Sequence, residues 1–91
     1  MYKIQTTNRF EKDVLKCIRR NYDFSLLETV VSILESTGKL PAKYKAHKLS
    51  GKYENCWECH IKPDWLLIWL QNDVVKSIVF VATGTHSDLF K

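Results

Sequence analysis

Three histidines, His47, His60 and His86, lie in the second half of the chain, each beside polar neighbours: Ala46-His47-Lys48, Cys59-His60 and Thr85-His86-Ser87. A lone histidine on a strand is more often structural than catalytic. Three of them, alongside Glu58, Asp64 and a group of lysines, make a set suited to proton transfer near neutral pH. Metal-independent cleavage of RNA needs such groups. A base takes the proton of a 2′-hydroxyl, which attacks the adjacent phosphate; an acid protonates the departing 5′-oxygen; and a cation steadies the charge that builds on phosphorus. Aromatic side chains such as Trp65 and Phe90 can hold splayed bases by stacking.

The lysines are concentrated where the chemistry is. The formal net charge is +4, and Gly38 to Lys62 holds six lysines (Lys39, Lys43, Lys45, Lys48, Lys52 and Lys62) against Glu54 and Glu58. The whole excess therefore lies in that stretch, next to His47 and His60. Lysine neutralises phosphate diffusely, so the patch suits a nucleic-acid backbone, with Lys48, Lys52 and Lys62 as candidate substrate contacts. A solvated loop would carry the same residues.

Cys56-Trp57-Glu58-Cys59-His60 matches the C-x-x-C-H pattern of c-type haem attachment. Haem attachment follows export, and the first ten residues carry Lys3 and Arg9 with no apolar run of signal-peptide length. The five residues also fall in an expected strand, where positions 56 and 59 point to opposite faces. A zinc site from Cys56, Cys59 and His60 lacks the tight knuckle such pairs occupy, and no second C-x-x-C or H-x-x-x-H completes it. The plainer expectation is that Cys17 and Cys59 are small core residues and Cys56 is half exposed. No cofactor or metal is expected.

The elements that must position these groups read as follows. At 91 residues the chain is expected to be a single domain, 1–91. The longest strongly apolar stretch, Trp65 to Leu70, is far short of the ~20 residues a membrane helix needs. A cytoplasmic location is expected, with no membrane contact. Tyr2 to Gln5 is a short strand. Asn8 and Glu11 suggest a capped start to a helix over Arg9–Asn21, with Phe10, Val14, Ile18 and Tyr22 as its apolar stripe. Ser25 and Glu28 open a second, over Leu26–Glu35, which buries Leu27, Val30, Val31 and Leu34 and ends at Gly38. Leu40 to Gly51 is a loop. Strands follow at Tyr53 to Ile61, Trp65 to Leu70 and Val74 to Ala82; the second, continuously apolar, is the central one. The order gives an α+β fold, an antiparallel sheet of about four strands with the helical hairpin on one face.

Three ordered blocks carry a more specific signal: His47-Lys48-Leu49-Ser50-Gly51; Trp57-Glu58-Cys59-His60-Ile61-Lys62-Pro63-Asp64-Trp65-Leu66-Leu67-Ile68-Trp69; and Thr83-Gly84-Thr85-His86-Ser87-Asp88-Leu89-Phe90. They resemble the YafQ branch of the RelE toxin superfamily, over essentially the whole chain. The resemblance implies a toxin of a type II toxin–antitoxin pair. Such a toxin is a metal-independent endoribonuclease that cuts mRNA on the ribosome and is held inactive by a co-expressed antitoxin. It implies that His47, His60, Asp64 and His86 stand at catalytic positions and that Phe90 helps place the substrate. Trp65 follows the motif aspartate and is expected to be mostly core. Glu58, two residues before the motif histidine, is placed to orient His60.

One departure stands out. Relatives commonly have arginine immediately before the T-G-T-H segment, and here that residue is Ala82. The missing guanidinium is a natural partner for the scissile phosphate, which Lys48, Lys52 or Lys62 replaces only as a point charge. The competing reading is a non-cleaving module that binds the ribosome or an antitoxin. The retained histidines and Asp64 weigh against it.

Overall fold

A computed structural model describes residues 1–90. Five strands, β1 (Lys3–Thr6), β2 (His47–Lys48), β3 (Trp57–Lys62), β4 (Trp65–Asn72) and β5 (Ser77–Gly84), form one sheet in the order β1-β5-β4-β3-β2. The helices are α1 (Asn8–Arg19), α2 (Phe24–Thr37) and α3 (His86–Phe90). The α+β class and the central place of Trp65–Leu70 hold. The sheet is mixed rather than antiparallel, because β1 runs parallel to β5, with Ile4 opposite Ile78. The fifth strand, β2, is two residues long, too short to show any periodicity in sequence.

Boundaries moved where a local hydrogen bond outweighed the hydrophobic pattern. The cap of α1 is Thr7 and not Asn8: the Thr7 hydroxyl accepts from the Phe10 amide at 3.0 Å. The helix stops short of Asn21, which takes a left-handed conformation (φ +63°) while the Tyr22 amide donates back to the Cys17 carbonyl. Its buried face is Phe10 and Cys17, so Ile18, expected inside, is 48% exposed. Asp23, not Ser25, caps α2, accepting from the Ser25 amide. Gly38 ends that helix as expected, at φ +71°, where a Cβ would lie 2.5 Å from the Tyr2 ring. Val74 and Val75, expected in the last strand, sit exposed in a turn because Asn72 Oδ1 accepts from both their amides. Tyr53 belongs to a 3₁₀ turn, Gly51–Tyr53, instead of β3.

Both faces of the sheet are covered. On one, Phe10, Cys17, Leu27, Val30 and Leu34 of the α1–α2 hairpin pack on Cys59, Trp65, Leu67, Trp69, Ile78 and Phe80. On the other, Leu66, Ile68 and Ala82 meet Tyr53, Cys56 and Leu89. Phe80 and Ala82 would share a face in a regular strand; the register shift between Ile68 and Trp69 of β4, which leaves Val81 of β5 unpaired, puts them on opposite ones. Cys56 precedes β3 instead of lying in a strand with Cys59, and the two pack in different clusters, Cys59 on the helix side and Cys56 with Tyr53 and Leu89. Cys56 is buried, not half exposed, and burial pushes the Cys59 thiol up to about 12. Among the described residues, no helix is long and apolar enough to cross a membrane.

Candidate active site

The second face of the sheet, beyond the edge of α3, gathers the polar groups. Strand pairing sets the first three. Register places His47 of β2 directly opposite Glu58 of β3, and His60 follows two positions along β3 on the same face. Glu58 is almost wholly buried, and its Oε1 lies 3.2 Å from His47 Nε2 and 3.8 Å from His60 Nε2. The opposite nitrogens meet backbone carbonyls, His47 Nδ1 on Lys45 at 2.9 Å and His60 Nδ1 on Pro63 at 3.3 Å. A carbonyl only accepts, so Nδ1 of each ring carries a hydrogen and Nε2 is turned toward the carboxylate. Glu58 lies nearer His47 than His60, the histidine it was expected to orient, and at 3.8 Å from His60 it is beyond hydrogen-bond reach of that ring.

The β3–β4 turn and α3 supply the other half. Pairing of Leu66 with Gly84 brings Asp64 beside the start of α3. Asp64 Oδ1 accepts from the His86 amide at 2.9 Å and lies 2.7 Å from His86 Nδ1. Those two hydrogen bonds hold the Asp64 carboxyl below its ordinary range. The two halves face each other, with the His60 and His86 rings 5.9 Å apart and the His47 and His60 rings 6.3 Å apart. Phe90, one turn beyond His86, stands 6.4 Å from it and meets the edge of Tyr53 at 5.5 Å. His47, His60, Asp64, His86, Glu58 and Phe90 are thus brought together from four separate segments.

The remaining candidates part company. Lys62 borders the group, lining with Lys43 and Lys45 a shallow pocket against His60 and Pro63. Lys48 does not: alternation along β2 sends it to the helix side of the sheet, where its ammonium rests 5.6 Å from the Trp57 ring centre. Lys52 reaches the other end of α3, donating to the Leu89 carbonyl at 3.3 Å, a favourable place for a cation at a helix C-terminus. Trp65 is not a stacking platform. It is 3% exposed, packs on Tyr22 at 4.8 Å, and spends its indole N–H on Thr83 Oγ1. Ala82 is fully buried beneath Leu89, so its position offers no cation to the cleft.

Several residues that hold the site escaped the sequence reading. Thr85 and Asp88 form a reciprocal cap for α3: Asp88 Oδ2 accepts from the Thr85 amide at 2.9 Å and Thr85 Oγ1 from the Asp88 amide at 3.1 Å. Asp88 is also gripped by Arg20 through a forked pair at 2.7 and 3.1 Å and by Lys16 at 3.3 Å. The Arg20 fork holds the Asp88 carboxyl far below the usual carboxylate range. Arg9 donates to the Tyr53 hydroxyl at 2.9 Å, and Asp13 accepts from the Thr83 amide at 3.1 Å. Arg9, Asp13, Lys16 and Arg20 follow one another at spacings of four, three and four, a polar stripe on α1. That stripe and the T-x-x-D pattern at Thr85–Asp88 were the available signals.

Residues 2–91 match the family described as the bacterial toxin of type II toxin–antitoxin systems, YafQ. The mRNA interferase toxin YafQ of Escherichia coli is 36% identical over 88 residues, covering 96% of this chain and 94% of that one. The crystal structure of YafQ from E. coli superposes with a TM-score of 0.91 at 34% identity, over the full length of both chains. The toxin in the E. coli DinJ–YafQ toxin–antitoxin complex gives 0.89 at 35% identity, covering 99% of this chain and 98% of that one. The chain described here belongs to the YafQ family of type II toxin–antitoxin toxins.

Proposed function

We propose that this chain is a cytoplasmic mRNA interferase that cuts message on the ribosome without a metal and is silenced by a partner antitoxin. The observation that carries the reading is the neighbouring pair His60 and His86, rings 5.9 Å apart, each with Nδ1 engaged by an oxygen acceptor. Rings whose centres lie 5.9 Å apart are close enough for both to hydrogen-bond one phosphate lying across their edges, each to a different oxygen at ~2.8 Å. One ring takes the proton from the 2′-hydroxyl. The new 2′-oxygen–phosphorus bond forms as the phosphorus–5′-oxygen bond breaks, and the other ring protonates the leaving oxygen. The products are a 2′,3′-cyclic phosphate and a 5′-hydroxyl. Glu58 holds His47 beside the phosphate, Asp64 keeps His86 in one tautomer, and Phe90 stacks on a neighbouring base.

The test is cleavage of mRNA on translating ribosomes. Cyclic-phosphate ends should form at an undiminished rate in EDTA, and cleavage should cease when the product of the adjacent reading frame is added. A rate abolished by chelator, or binding to ribosomes with no cut at any site, overturns the reading. Steering by lysine is separable. Lys62→Ala should weaken RNA binding and reduce the slope of log affinity against log salt by about 0.7, the share of one single-strand phosphate contact. Lys48→Ala, on the opposite face, should leave that slope unchanged.

A further inference from the structure

A five-residue helix has no stability of its own, because a single turn fixes more backbone than its hydrogen bonds repay. α3 is therefore held from outside, and what holds it decides where His86 points. Leu89, fully buried, anchors its apolar side. An apolar anchor alone leaves the short helix free to rock about its axis, since dispersion and burial are not directional. Direction comes from Asp88. Its carboxylate receives the Arg20 fork, Lys16 and the Thr85 amide at once. Gly84 is shaped around it: at φ +154° a Cβ there would lie 2.8 Å from Asp88 Oδ2. An isolated ion pair at a surface holds geometry poorly, whereas a forked arginine–carboxylate pair within a network fixes both planes.

The same turn of chain carries His86. Its amide donates to Asp64 and its Nδ1 lies against the same oxygen, so a rotation of α3 breaks both contacts together. From this we propose that Arg20 and Asp88 are positioning residues for His86, the fork from α1 setting the azimuth of α3 so that the ring faces His60. Neither residue meets the substrate. The proposal rests on His86 being a proton-transfer group, and it can fail separately from that reading.

Three variants of the full chain, Arg20→Ala, Arg20→Lys and Asp88→Asn, are compared at a temperature where circular dichroism shows each folded. Cleavage at saturating ribosomes should fall about 10- to 100-fold in Arg20→Ala and Asp88→Asn, the effect of misplacing a reacting group by around an ångström. Affinity for RNA should stay within about twofold, since only uniform binding would alter it. Arg20→Lys, which keeps the charge and loses the fork, should recover part of the rate. In a His86→Ala background the same two substitutions should cost nothing further, because positioning acts only through the ring. Independently of cleavage, the His86 Nδ1 proton resonance should broaden or vanish in Arg20→Ala. Wild-type rates in Arg20→Ala and Asp88→Asn overturn the proposal, as does an equal loss with and without His86, or an unchanged Nδ1 resonance. Full activity of His86→Ala alone would instead remove the catalytic reading, while the resonance still reports whether the fork orients the ring.

Discussion

Replacing His60 or His86 by alanine is expected to slow mRNA cleavage by about 10²–10⁴-fold, the usual worth of a positioned acid or base, with RNA binding little changed. Neither residue is part of the hydrophobic core, the side chains being 24% and 56% exposed, so the loss should not be one of folding. The two roles can be told apart by the leaving group. A substrate with sulfur in place of the bridging 5′-oxygen expels a thiolate that needs no proton. The variant lacking the acid should recover most of its rate on that substrate, and the variant lacking the base should not. Removing both should cost much less than the product of the single losses, since each is idle without the other. Cleavage at the wild-type rate in the double variant would exclude both rings from the chemistry.

The sequence marked the candidate site residues better than the scaffold that holds them. His47, His60, Asp64 and His86 could be singled out as candidates because each lies in a block whose residue order is distinctive. Their convergence depends on register: His47 meets Glu58 only through a strand of two residues, and no periodicity announces an element that short. Lys48 shows the same limit from the other side. Its neighbour His47 belongs to the site, but a one-residue step along a strand reverses the direction of the side chain. Apolar periodicity found the core of both helices and the central strand, and missed the polar stripe of α1 because it reads only the buried side. Arg9, Asp13 and Arg20 are ordinary surface residues in sequence; their work is visible only once Thr83, Tyr53 and Asp88 are beside them. Turn chemistry explains most of the rest. Asn72 and Thr7 moved element ends against the propensity of Val74, Val75 and Asn8 because a side-chain oxygen on a free amide outweighs a few tenths of a kilocalorie of preference (about 0.2–0.5 kcal/mol).

Trp65 separates a structural from a substrate-binding reading most sharply. Its indole ties the helical hairpin to the sheet, with the ring on Tyr22 in the link between α1 and α2 and the N–H on Thr83 Oγ1, which in turn donates to the Leu66 carbonyl at 2.6 Å. Trp65→Ala is therefore expected to lose about 3–5 kcal/mol of folding stability, the range for deleting a buried large aromatic. A domain of this size has only about 5–15 kcal/mol in all, so the urea midpoint should fall by about a fifth or more. Trp65→Phe keeps most of the buried area and loses the hydrogen bond, with an expected cost of about 1–3 kcal/mol. At a temperature where Trp65→Phe is folded, its cleavage rate and RNA affinity should stay within about threefold of wild type, because the ring faces the α1–α2 hairpin and not the histidines. A Trp65→Phe protein with an unchanged urea midpoint and greatly weakened RNA binding would reverse the assignment and make Trp65 a stacking surface. The structure expects the opposite pairing, instability without loss of recognition, since the side chain at position 65 has almost no surface left for a base to touch.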